Sequence, residues 1–120
     1  MVAPDIDTWI DELKAQTDSQ AVGMILVHKG VVRGTSRSGE PVSAMMLTVD
    51  RNRLDEILAE AGSWKGIVAL RVWVNEGLLS VGDDIMMILV AGDIRENVFD
   101  ALQRLVSRIK TEVVSELEIP

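Results

Sequence analysis

The stretch that most restricts what this chain can fold into is Ile85-Met86-Met87-Ile88-Leu89-Val90, an unbroken apolar run. Successive strand residues face opposite sides, so as a strand this run is buried on both faces, and its length suits a strand better than a helix. The remaining elements must therefore cover it.

Three segments carry helical stripes. Ile94, Val98, Ala101, Leu102, Leu105 and Ile109 recur at three- and four-residue spacing, which predicts a long helix. Asp93 stands just before it with Glu96 three residues on, the pattern of a capping box. Lys110 falls in its last turn, where free carbonyls and the helix dipole favour a cation. Val113-Val114, followed by Ser115, Glu116 and Glu118, then reads as a short half-buried strand. Asp50 caps a second helix through Leu54, Ile57, Leu58 and Ala61, with Gly62 as its stop. Pro4 and Asp5 open a first helix through Ile6, Trp9, Ile10 and Leu13, ending near Gln16.

Strands are predicted from Val22 to Val32, Val42 to Val49 and Ile67 to Val74, with Asn75 to Gly82 as a turn region. Thr35-Ser36-Arg37-Ser38-Gly39-Glu40-Pro41 is dense in turn formers and predicts an exposed, mobile loop. Hairpin-like and crossover connections are mixed, and no linker or repeat interrupts them. The expected architecture is one α+β domain over residues 1–120, two-layered, with a mixed, largely antiparallel sheet.

At 120 residues and 48% hydrophobic content the chain has material for one core. A net charge of −7 argues against nucleic acid or an anionic membrane as partner, because phosphate surfaces reward clustered Lys and Arg. With no cysteine, disulfides, thiolate metal sites and cysteine nucleophiles are excluded. No apolar stretch approaches ~20 residues and no basic leader opens the chain, so a cytoplasmic location is the expectation.

Spacing alone names no reaction. His28 is the only histidine and lies in an apolar strand, which favours a structural role and rules out a histidine-rich metal site within one chain. Met45-Met46 and Met86-Met87 are adjacent pairs whose side chains diverge in a strand, so they read as packing. Trp64 and Trp73 read as core or interface residues. Asp83-Asp84 looks like a turn before a strand. No metal site and no cofactor is predicted. What remains is basic: Arg33, Arg37, Arg95 and Lys110, which are either solvated surface charges or a local anion site.

Order and spacing then narrow the choice. Gly23 and Gly30, seven apart and followed by Val32-Arg33, resemble the opening strand of the large subunit of molybdopterin synthase. Gly77 with Gly82-Asp83-Asp84-Ile85 resembles that family's Gly-Glu-x-x-Pro-Gly-Asp-Glu-Ile turn. Arg95 to Phe99, Asp100-Ala101, Gln103 and Lys110-Thr111 are similar to its long helix. The likeness runs over about residues 23 to 111.

The resemblance implies an α/β hammerhead-type fold and a homodimer. It also implies a partner, a small ubiquitin-like sulfur-carrier subunit ending in Gly-Gly, whose thiocarboxylate sulfur moves to a cyclic pterin monophosphate precursor in molybdenum or tungsten cofactor biosynthesis. Lys110 then matches the first of two active-site lysines as the catalytic residue. Arg33 and Arg95 match arginines lining the anion site, with Arg37 as a further substrate-binding candidate, and Arg33, Arg95 and Lys110 are expected to converge on one pocket. The chain departs from the family at several positions. Ile94 stands where the family has histidine, Leu117 where it has the second lysine, and Val113-Val114-Ser115 where it has Pro-Phe-Trp. The family's Glu-His-Tyr is missing around Thr48 to Asp50. The alternative is accordingly a non-catalytic, dimeric binding or regulatory module.

Overall fold

The computed structural model describes residues 2–16 and 19–120. The expected order is present: α1 (Ile6–Gln16), a short 3-10 turn (Ser19–Ala21), β1 (Met24–Val31), β2 (Ala44–Val49), α2 (Arg51–Ala61), β3 (Ile67–Val74), β4 (Gly77–Ser80), β5 (Asp84–Gly92), α3 (Arg95–Glu112) and β6 (Val114–Ile119). One element, β4, occupies ground that the sequence assigns to a turn. Gly77 adopts a positive φ of 128° at its start, and Leu78-Leu79 then pair with β2.

The strands form two three-stranded sheets, ordered β1-β5-β3 and β4-β2-β6, and every pairing among them is antiparallel. The apolar run is the central strand of the first sheet, and Ile85 to Gly92 are all buried. On one face Met86, Ile88 and Val90 meet Val98, Ala101, Leu105 and Ile109 of α3. On the other, Leu89 and Ala91 meet Trp9, Ile10 and Leu13 of α1, so this sheet carries a helix on each side. Arg71 of β3 fastens α1 from outside, pairing with Glu12 at 3.1 Å and donating to Gln16 at 3.1 Å.

The second sheet turns Met45, Leu47, Leu79 and Val114 into the same core as α2 and α3. Asp50 caps α2 as expected, its carboxylate accepting from the Arg53 amide at 3.0 Å, and Gly62 ends it. The start of α3 differs from the capping-box expectation. Ile94 is the N-cap, extended at φ −132° and ψ 157°, with no side-chain cap bond. Asp93 lies one residue too early: its Oδ1 accepts from the Ile94 amide at 2.6 Å and from Asn97 Nδ2 at 2.9 Å.

Where the two sheets meet, the chain leaves β1, forms an exposed excursion and returns into β2. The excursion is internally bonded. Thr35 and Pro41 make an antiparallel bridge, the Ser36 amide donates to Glu40 O at 2.8 Å, and Gly39, at φ 88°, closes the tip by donating to Ser36 O at 3.0 Å. A positive φ is cheap only for glycine, which is why the tip falls there.

Candidate functional site

A cleft of about 640 Å³ opens at this seam. One wall is the excursion, with Arg33, Thr35, Ser36, Arg37 and Ser38. The floor is apolar, from Val31, Met45 and Ile85. The opposite wall is the end of α3 and the returning β6, with Lys110, Glu116 and Glu118. The fold produces this wall directly. Val113 caps α3 and reverses the chain, and β6 then runs back beside the helix, which brings Glu116 to Lys110 six residues earlier.

Strand alternation decides which β6 residues enter the cleft. Val114 pairs with Val49, Glu116 with Leu47 and Glu118 with Met45, so the two glutamates share the inward parity of buried Val114. Leu117 pairs with Met46 on the outward face and is 65% exposed. The position that the sequence resemblance sets against a second lysine thus points away from the cleft, and carboxylates take the inward places. Sequence reading did not assign these glutamates to the site, although the two-residue period from Val114 was a usable signal.

Of the four predicted site cations, three are together. Arg33 lines the cleft with its Nε donating to Thr35 O at 2.9 Å, and Arg37 lines it with no ion pair among the described residues. Lys110, its side chain 39% exposed, pairs with Glu116 Oε1 at 2.9 Å. Arg95 is elsewhere, which corrects the expected convergence. It sits 78% exposed in a separate shallow depression with Gly23, Met24, Ile94 and Glu96, bonded to Glu96 at 3.3 Å. The reason is geometric: Arg95 and Lys110 are fifteen residues apart on one helix, or about 22 Å at 1.5 Å per residue.

His28 lies outside this cleft, in a separate groove. This half-buried imidazole lies on β1 in an apolar groove with Leu26, Phe99, Leu102 and Val106, and its Nε2 has no hydrogen-bond partner. Burial, and secondarily the charge of Lys110, lowers its pKa below the ordinary 6.5. Trp64 is partly buried against the core, with the Arg104 guanidinium 3.9 Å from its ring centroid.

Chemically, the cleft offers two guanidinium groups suited to forked recognition of phosphate or carboxylate, and one amine beside two carboxylates. Among the described residues there is no group of three or more metal-ligating side chains and no helix long and apolar enough to cross a membrane.

Compared with known proteins, the chain matches one family model over most of its length. The family described as MoaE protein matches residues 5–112. Among solved structures, the chain is similar to a molybdopterin cofactor biosynthesis protein E from Burkholderia multivorans ATCC 17616, at 22% identity, covering 99% of this chain and 79% of that one with a TM-score of 0.78. It is similar to a molybdopterin synthase from Staphylococcus aureus, at 20% identity, 97% and 85% coverage and a TM-score of 0.76. A third likeness is to a complex of subunits 1 and 2 of molybdopterin-converting factor from Helicobacter pylori 26695, at 14% identity, 97% and 79% coverage and a TM-score of 0.71. At these identities the structural likeness speaks for the fold. No curated protein matches the chain in sequence.

Proposed function

The chain belongs to the MoaE protein family, and from that premise we propose that it serves molybdenum (or tungsten) cofactor biosynthesis as a molybdopterin synthase large subunit. In this reading it transfers sulfur from the C-terminal thiocarboxylate of a small carrier subunit to a cyclic pterin monophosphate. The observation that carries the reading is Lys110 facing Arg33 and Arg37 across one cleft, on a chain whose net charge is −7. Cations gathered against that background are best explained by an anion between them. Arg33 and Arg37 would hold the phosphate, and Lys110 would handle the proton or the acyl group as sulfur departs. The two-subunit complex among the structural neighbours supports a small-subunit partner.

A homodimer is part of the same proposal. Arg95 cannot reach its own chain's Lys110, so a shared anion would have to meet Arg95 from a second copy. Exposed Leu78, Met46 and Leu117 are in register across the outer face of the second sheet, and they add apolar surface of the kind interfaces cover. Sedimentation at micromolar concentration reads this directly, and a 13.2 kDa monomer would count against it.

The second reading, a dimeric module that binds the carrier without catalysis, is favoured by the Lys110–Glu116 pair and by the outward Leu117. Incubating the protein with a thiocarboxylated carrier and the pterin precursor, and measuring dithiolene formation, separates the two. Sulfur transfer supports the enzyme; carrier binding without transfer supports the module. If the parent is inactive, Leu117→Lys would not restore transfer, because that amine would lie on the outer face.

A further inference from the structure

The cations of the cleft are not in the same state. Arg33 spends one donor on a backbone carbonyl, and among the described residues neither Arg33 nor Arg37 makes an ion pair. Of the three, only Lys110 is ion-paired among the described residues, with its Nζ on Glu116 Oε1 at 2.9 Å. Glu118, two residues on and on the same wall, makes no ion pair among the described residues. The anion site is open on the arginine side and occupied on the lysine side, and the occupant belongs to the chain.

We infer that Glu116 is a built-in competitor for Lys110: its carboxylate takes one of the ammonium's three donors and offsets its charge, so an anionic ligand gains the full attraction of the amine only when Glu116 moves aside. The inference deepens the proposed reading, since it rests on this cleft being the anion site. Its physical basis is simple. A carboxylate and a phosphate oxygen compete for the same ammonium donors, and the side-chain exposures, 39% for Lys110 and 25% for Glu116, leave the pair open to exchange. The device would grade affinity toward ligands that bring enough charge to Arg33 and Arg37 to outbid one glutamate, and it would discriminate against small monovalent anions.

The ligand head group has two possible sources, a phosphate monoester and the terminal carboxylate of a peptide tail. The experiment uses both. Inorganic phosphate, and short peptides ending in Gly-Gly with a free or an amidated C-terminus, are titrated into the full chain at low ionic strength. Binding is followed by NMR shifts of the Thr35 to Ser38 amides. The variants are Glu116→Gln, Glu118→Gln, Lys110→Ala and the Lys110→Ala/Glu116→Gln pair. Glu116→Gln should tighten phosphate or free-carboxylate peptide binding by about 3- to 10-fold, from removal of a weak ion pair and of repulsion at contact.

That gain should vanish when Lys110 is alanine, whereas any gain from Glu118→Gln, which acts only through the general field, should survive there. Whichever head group shows the coupled gain is the one that pairs with Lys110, and either result supports the competitor. Binding with no gain in Glu116→Gln, or a gain that persists undiminished without Lys110, overturns the competitor and leaves the anion site standing. Failure of every probe to bind every variant removes the anion site as well, and with it this inference. Sulfur transfer is not read at any point, so an inactive parent does not affect the outcome.

Discussion

Replacing Lys110 by alanine should separate function from stability, because the structure bounds what the side chain contributes to the fold. The ion pair with Glu116 is partly exposed on both sides, and pairs of this kind are worth about 0.2–1 kcal/mol. Its place in the last turn of α3 adds about 0.3–1 kcal/mol through the helix dipole. Alanine, the better helix former, returns about 0.3 kcal/mol. The net loss is then about 1 kcal/mol, or about 3–5 °C in Tm for a domain of this size. The activity term is larger by orders of magnitude: removing a positioned acid, base or nucleophile costs about 10²–10⁴-fold in rate. Thermal unfolding and a single-turnover sulfur-transfer assay on the same preparation measure both. Transfer retained within about tenfold would refute the catalytic assignment, since effects on that scale need no chemical role. A Tm fall beyond about 10 °C would show Lys110 to be structural, because no sum of these surface terms reaches it.

Three further outcomes are expected. Gly92→Ala should destabilise by about 2–3 kcal/mol in denaturant titration, because a Cβ there would lie 2.6 Å from Gly66 O, itself the acceptor for the Asp93 amide, and 2.8 Å from Val98 Cγ2. Glu112 is held at a pKa of about 2, from 4.5, by hydrogen bonds from Arg108 and Arg53, so the parent's stability advantage over Glu112→Gln should be full above pH 4.5 and shrink as pH falls toward 2; an advantage independent of pH in that window would contradict the bridge. His28 should titrate below 6.5 by NMR, with its contribution to stability present above pH 6.5 and lost as pH falls through the lowered value. In Lys110→Ala its pKa should rise yet stay below 6.5, since burial is the larger cause.

Local patterns that depend only on burial were legible in the chain. The Ile85–Val90 run, the α3 stripe and the Asp50 cap each follow from side chains whose neighbours in sequence are also their neighbours in space. The α3 cap was misread because Ser, Thr, Asp and Asn signals locate a cap only to within a residue or so, and Ile94 stays extended while Asp93 turns to Asn97. β4 escaped because a glycine-led segment of four residues carries no period of its own and becomes a strand only by pairing with β2. The family fold was readable as order and spacing across Gly23 to Thr111, where no single motif was specific.

The error over Arg95 is of another kind, since helix geometry alone would have caught it. A rise of 1.5 Å per residue puts residues 95 and 110 at opposite ends of any straight helix that holds both, about 22 Å apart. A shared family role for these two residues and a single-chain site are therefore incompatible. Either Arg95 plays no part at Lys110's cleft, or the cleft is completed by a second copy. The two differ in a measurable way. If Arg95 acts across a dimer, mixing inactive Arg95→Ala with inactive Lys110→Ala protein should restore up to about a quarter of the transfer per dimer site, because only half the dimers are mixed and one of their two sites is intact. If Arg95 plays no part, Arg95→Ala alone keeps its activity and there is nothing to restore.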